Sequence, residues 1–186
     1  MKKIILASQS PRRKELFKKL GFRFSVINSK INESQKVYIS PEHHAIVLAV
    51  SKAKAVARNA ANSLVIGADT IVVYNNKIFG KPKNTADAKH ILSTLSDTKH
   101  YVCTALAVID TQTGKTIVDI EKSIISTRKL TAKQIDKLSL KNHDKAGAYA
   151  VQESEDLLVK KIDGDFYNVV GLPLNKLKKI LNNFRD

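Results

Sequence analysis

The sequence holds one cysteine, no tryptophan, four prolines and seven glycines in 186 residues, and its 17 acidic side chains face 32 Lys and Arg. A lone cysteine, Cys103, excludes an intramolecular disulfide. It lies in an apolar stretch (YVCTALAVI), so a reducing cytoplasm is the expected compartment. Long apolar runs are missing as well. No segment approaches the roughly eighteen uncharged apolar residues of a membrane span, and the short run before Pro11 and Arg12 is too brief for a signal peptide. The five histidines are scattered, and no zinc-ligand spacing occurs. Internal repeats and low-complexity linkers are lacking.

What is present is enough for a globular unit. With 43% hydrophobic and 26% charged residues, the chain can build a sizeable core and is not a disordered polyampholyte. Its length fits one domain, or one domain in two lobes. The net charge of +15 raises a nucleic-acid partner. Yet 26 of the 32 basic residues are lysines spread from Lys2 to Lys179, and aromatics make up only 6%. Nucleic-acid surfaces concentrate arginine and interleave aromatics for stacking. A lysine-rich solvated surface with an anionic ligand is the expected use of the charge, and specific nucleic-acid binding is not expected.

The first twenty residues organise the rest. Residues 1–7 (MKKIILA) form a short apolar run behind two lysines, which reads as a buried strand. Ser8-Gln9-Ser10-Pro11 follows, and Leu16, Phe17 and Leu20 then take helical spacing. Ser10 can accept from the amides of the first turn, and Pro11 stands where its missing N–H costs nothing. Arg12 and Arg13 are the anomaly. A helix N-terminus prefers acidic neighbours, and each cation there is unfavourable by roughly 0.3–1 kcal/mol unless something offsets it. Amides, hydroxyls and guanidinium groups converging on one turn suit a phosphate. Two arginines simply pointing into water remain the alternative.

Further along, residues 22–27 alternate apolar and polar and predict a second strand beside the first. Residues 28–36 predict a polar loop carrying Glu33. Ser40-Pro41 opens a long alanine-rich helix, on which Lys52 and Lys54 would ordinarily be solvated. Residues 64–74 (LVIGADTIVVY) form the most apolar strand, with Asp69 at its middle between Gly67 and Thr70. A carboxylate there needs a metal ion, a cation or water in a cleft, and Gly67 would let backbone approach a ligand. Asn75-Asn76 predicts a hairpin turn leading to a Gly80-Lys81-Pro82 corner. A helix capped by Thr85, two long strands (residues 100–109 and 115–126) and a helix capped by Thr131 come next. Gly114-Lys115-Thr116 resembles the end of a phosphate-binding loop, but residue 109 is Ile109 rather than glycine and the context is a hairpin. An acidic patch of Glu153, Glu155 and Asp156, a strand over residues 157–162, and a last helix with Leu174, Leu177, Ile180, Leu181 and Phe184 on one face complete the chain.

Five blocks, in order, resemble the Maf family, known as septum-formation inhibitors and as nucleoside triphosphate pyrophosphatases. They are residues 6–16 (LASQSPRRKEL), Gly67-Ala68-Asp69-Thr70, Gly80-Lys81-Pro82, residues 144–149 (DKAGAY) with Gln152, and Val170-Gly171-Leu172-Pro173-Leu174. The resemblance implies a mixed α/β fold, similar to inosine triphosphatase, with a long twisted mixed sheet flanked by helices and a cleft between two lobes. It also implies a homodimer. The activity it implies is hydrolysis of the bond between the α and β phosphates, with Mg²⁺ or Mn²⁺, and the 145–152 block resembles the branch acting on dTTP and UTP. On that footing Arg12, Arg13, Lys52 and Lys81 neutralise phosphate charge, and Ser8 and Ser10 hold phosphate oxygens. Asp69 and Glu33 bind the metal, with Asp69 as base. Gln152 and Thr70 read the pyrimidine edge. The run Glu153-Ser154-Glu155-Asp156 departs from the glycine-rich loop usual in the family. A non-enzymatic nucleotide-binding regulator of cell division is the rival reading.

Overall fold

The computed structural model describes residues 2–33, 39–151 and 158–184. Its frame is a mixed seven-stranded sheet. Strands β1 (Lys3–Leu6), β2 (Ser25–Val26), β3 (Ser63–Tyr74), β4 (Lys77–Phe79), β5 (Lys99–Asp110), β6 (Thr116–Thr127) and β7 (Val159–Asp163) are set in the order β2-β1-β3-β5-β6-β7, and β4 also pairs with β3. The β1–β2 and β1–β3 pairings are parallel, and the rest are antiparallel. Helices α1 (Pro11–Lys18), α2 (Pro41–Ala57), α3 (Thr85–Leu95), α4 (Ala132–Ser139), α5 (Phe166–Val170) and α6 (Leu174–Asn182) cover it.

One edge of β3 explains where a site can open. β1 pairs along Ser63 to Ile66, and β4 pairs along Val72 to Tyr74. Residues 67–71 lie between these two partners, on the edge away from β5. A gap of this kind beside the carboxyl end of a parallel strand is where ligands enter α/β sheets. The two-residue period of the strand then splits its side chains. Val65, Ile71 and Val73 pack with Ala45, Ala49 and Ala53 of α2. Ile66 and Ala68 pack on the opposite face with Leu16, Phe17, Leu172 and Leu177. A third cluster beneath α3 and α4 holds Leu92, Leu95, Val102, Ile125 and Leu158.

Gly67 serves packing, which corrects its expected use against a ligand. A Cβ on it would lie 2.1 Å from the Ala49 carbonyl oxygen and 2.8 Å from the Ala53 nitrogen. The alanine stripe of α2 and this bare backbone bring helix and strand into close contact. The capping signals behave as read at Ser10, Ser40 and Thr131, the last forming a capping box with Gln134. At α3 the cap is Asn84, whose side chain accepts from the Asp87 amide, so Thr85 is the first helical residue. The second strand is only two residues long, although it does lie beside β1. Asn75 and Asn76 both take positive φ (48° and 59°), as a two-residue hairpin turn requires.

Candidate active site

The gap beside residues 67–71 opens into a cleft of about 630 Å³. Its wall begins at the β1–α1 turn. The Ser10 amide donates to Ser8 Oγ at 3.2 Å, and the Arg13 amide donates to Ser10 Oγ at 3.4 Å. Both oxygens therefore accept from backbone, and each hydroxyl keeps its proton to donate. Ser8 is buried.

The two arginines go separate ways. Arg13 reaches over the sheet, donating from Nε to the Gly171 carbonyl at 2.8 Å and from Nη2 to Thr70 Oγ1 at 2.9 Å. Burial draws the guanidinium below the usual arginine range, against the pull of Asp69. Arg12 pairs across the cleft with Asp144, Nη1 to Oδ2 at 2.8 Å. The offset that a cationic helix N-terminus demands is thus supplied in part by the protein's own carbonyl and carboxylate oxygens.

On the α2 face of β3, Asp69 is 6% exposed and its Oδ1 accepts from Lys52 Nζ at 2.6 Å. Glu33 Oε1 meets the same ammonium at 2.9 Å. Lys52 is itself buried, which overturns the expectation of a solvated helix lysine. The close approach of α2 at Gly67 is what lets this side chain reach the strand. Partial burial opposes ionisation of Glu33, but its hydrogen bond and ion pair with Lys52, with Lys81 and Arg13 adding, hold the carboxyl below the usual range. Lys81 stands exposed on the cleft rim. The Gly147 amide donates to the Gly80 carbonyl at 3.1 Å, tying that corner to the opposite wall.

The structure therefore brings Ser8, Ser10, Arg12, Arg13, Glu33, Lys52, Asp69, Thr70 and Lys81 to one cleft. Gln152 and the acidic run 153–156 lie outside the described residues. Among the described lining residues Lys30 and Lys145 join four of these as cations, six in all, against Glu33, Asp69 and Asp144. That balance favours a polyanion. Among the described residues no group of three or more His, Cys, Asp or Glu is arranged so that it could hold a metal ion, and no described helix is long and apolar enough to cross a membrane.

Sequence reasoning did not single out His44, nor His100, which lies behind the cleft-lining Tyr149 of the 144–149 block. His44 lines the cleft, and its pKa is lowered by burial against the pull of Asp69 and Glu33. Its only sequence signal was a place one turn into a helix. His100 Nε2 lies 2.8 Å from Tyr149 Oη, and burial pushes the imidazole down to about 4. An unfolded histidine titrates near 6.5, so the unfolded chain takes up this proton first as pH falls. Stability from the neutral ring is complete above that value and is lost between it and about pH 4. The loss amounts to about 3 kcal/mol in all. Urea unfolding at pH 7 and 4.5 should show His100→Gln losing less stability on acidification than the wild type does; equal losses would refute the assignment.

Known proteins resemble this chain in sequence and in fold. A family model described as Maf-like protein matches residues 3–184. A Bacillus cereus relative named dTTP/UTP pyrophosphatase is 44% identical, with 99% of this chain and 91% of that one covered. A Bacillus mycoides relative of the same name is 43% identical, with 99% and 96% covered. Among solved structures, the Staphylococcus aureus Ham1 protein is similar at a TM-score of 0.55 and 17% identity, over 99% of this chain and 100% of that one. This last likeness concerns the fold alone. With the family model spanning nearly its full length and relatives this similar throughout, the chain belongs to the Maf family.

Proposed function

We propose that this chain is a nucleoside triphosphate pyrophosphatase that splits the bond between the α and β phosphates of dTTP and UTP. The observation that carries the reading is Lys52, buried between Asp69 and Glu33 at the floor of a cation-lined cleft. The names of the relatives supply the substrate. A triphosphate carries about four negative charges, and attack on it is governed by positioning and charge stabilisation. Arg12, Arg13, Lys52 and Lys81 offset that charge and the charge on the departing pyrophosphate. The hydroxyls of Ser8 and Ser10 donate to phosphate oxygens. Water gives its oxygen to phosphorus and its proton to Asp69 as the bond to the bridging oxygen breaks, leaving a monophosphate and pyrophosphate.

Glu33 and Asp69 suit Mg²⁺ or Mn²⁺. Their oxygens converge on one ammonium, and such ions take one or two carboxylates and complete their shell with water and phosphate oxygens. When bound, the ion neutralises phosphate charge and polarises the phosphoryl oxygens. Glu33, held ionised by Lys52, is assigned as a ligand of the ion. Asp69, buried at the floor of the cleft, is assigned as the base. Gln152 is assigned to the pyrimidine edge. We read the working protein as one domain of two lobes, a homodimer in the reducing cytoplasm that suits the buried Cys103.

A panel of nucleoside triphosphates with pyrophosphate detection tests this. The expected result is release from dTTP and UTP well above release from purine nucleotides. A protein that only binds nucleotides, as a division regulator would, releases none.

A further inference from the structure

We infer that Thr104, which the cleft does not reach, is the positioning residue for Arg13, and that it acts through Thr70. The inference rests on the pyrophosphatase reading for its kinetic readout, though its geometry stands apart from it. Thr104 is fully buried on β5 and pairs in register with Thr70 on β3. Its Oγ1 donates to the Asn168 carbonyl at 2.9 Å and lies 2.9 Å from Thr70 Oγ1. A hydroxyl has one proton to give. Since that of Thr104 goes to Asn168, Thr70 donates to Thr104 at 2.9 Å in preference to the Gly171 carbonyl at 3.5 Å, and the Thr70 oxygen is left to accept from Arg13 Nη2. The bonds therefore run in one direction: Arg13 to Thr70, Thr70 to Thr104, Thr104 to the carbonyl of Asn168.

The far end of this chain is firmly held. Asn168 is fully buried in α5, and its Nδ2 donates to the Val102 carbonyl at 3.1 Å and to Ser123 Oγ at 2.8 Å. The same short helix ends at Gly171, whose carbonyl accepts from Arg13 Nε. Its φ of +120° is one that glycine adopts readily, and a Cβ there would lie 3.4 Å from Thr70 Oγ1. Thr104 thus fixes both acceptors on the Nε side of the guanidinium: Thr70 directly, and Gly171 through Asn168. The Nη1 side is left to present to the triphosphate. A guanidinium aligned before binding loses less freedom when it takes a phosphate.

The experiment is steady-state kinetics with UTP, and competitive inhibition by inorganic pyrophosphate, on Thr104→Val, Thr104→Ser, Arg13→Ala and Arg13→Ala with Thr104→Val. Thr104→Val keeps the shape and removes the hydroxyl. It should raise KM and the pyrophosphate inhibition constant together by about tenfold, the upper range for one lost hydrogen bond between neutral groups. Thr104→Ser should restore both, and in Arg13→Ala the added Thr104→Val should change KM no further. If Thr104→Val does not fold, Thr70→Val breaks the chain one link nearer the arginine. It should weaken pyrophosphate and UTP equally, whereas a base-reading Thr70 would weaken UTP alone. An equal KM rise with and without Arg13, or unchanged pyrophosphate inhibition, overturns the inference. A wild-type protein that hydrolyses no nucleotide overturns the pyrophosphatase reading instead. The Arg13 Nε–H resonance then still decides this one: it must shift in Thr104→Val and return in Thr104→Ser, and an unmoved resonance refutes the coupling.

Discussion

Replacing Asp69 by asparagine is expected to lower pyrophosphate release by about two to four orders of magnitude, the usual worth of a positioned general base, while nucleotide affinity stays near that of the wild type. The amide keeps the size of the side chain and an oxygen that can still accept from Lys52 Nζ. It loses the capacity to hold a proton at neutral pH. Lys52 keeps Glu33 at 2.9 Å, so its ammonium is not stranded and the fold should persist. The loss should fall on kcat rather than KM, because the missing interaction forms only as the water gives up its proton. Thermal unfolding and nucleotide binding on the same preparation guard against a collapsed variant. Turnover within a few-fold of wild type would remove Asp69 as the base.

The parts of this site that are local in sequence were legible there. The strand, serine turn and helix at residues 3–18 follow from an apolar run, a capping serine and a proline at the first helical position, and each behaves so. The anomaly of two arginines at a helix N-terminus located the cleft wall, because capping chemistry is set within one turn. What satisfies those arginines was not legible. Arg13 finds its acceptors 57 and 158 residues away, and Arg12 finds Asp144 132 residues away. Periodicity carries no information about such partners. For the same reason Lys52 reads as a solvated lysine from its own segment, and only the family resemblance placed it in the site. Its burial depends on Gly67 admitting α2 against β3, a contact between two elements that each look ordinary alone. The five-residue α5 is too short to show a helical period, yet it holds Asn168 and delivers Gly171 to the arginine. The β3 carboxylate was flagged because a charge inside an apolar strand must be paired; a cation was one of the candidate partners, though which one was not legible, and the structure supplies Lys52.

The lysine also gives the largest expected change in stability. Lys52→Met keeps much of the apolar stem but removes the ammonium between two carboxylates, of which Asp69 is almost wholly buried. Removing one partner of a buried ion pair leaves the other charge uncompensated and costs about 3–5 kcal/mol. Glu33 lies close by with the same sign as Asp69, so repulsion adds to the loss. Because Lys52 and Arg13 help hold Glu33 below the usual range, part of that depression should vanish in the variant. Glu33 should then accept a proton at higher pH than in the wild type, and the stability gap between variant and wild type should narrow on acidification, as its protonation relieves part of the unpaired charge. A divalent cation offers a separate readout. Mn²⁺ without nucleotide should raise the melting temperature of Lys52→Met more than that of wild type, since the two oxygens then face a cation that no ammonium opposes. Equal melting temperatures at pH 7, with no added response to Mn²⁺, would mean that Lys52 does not hold these carboxylates together, and the floor of the cleft would have to be reassigned.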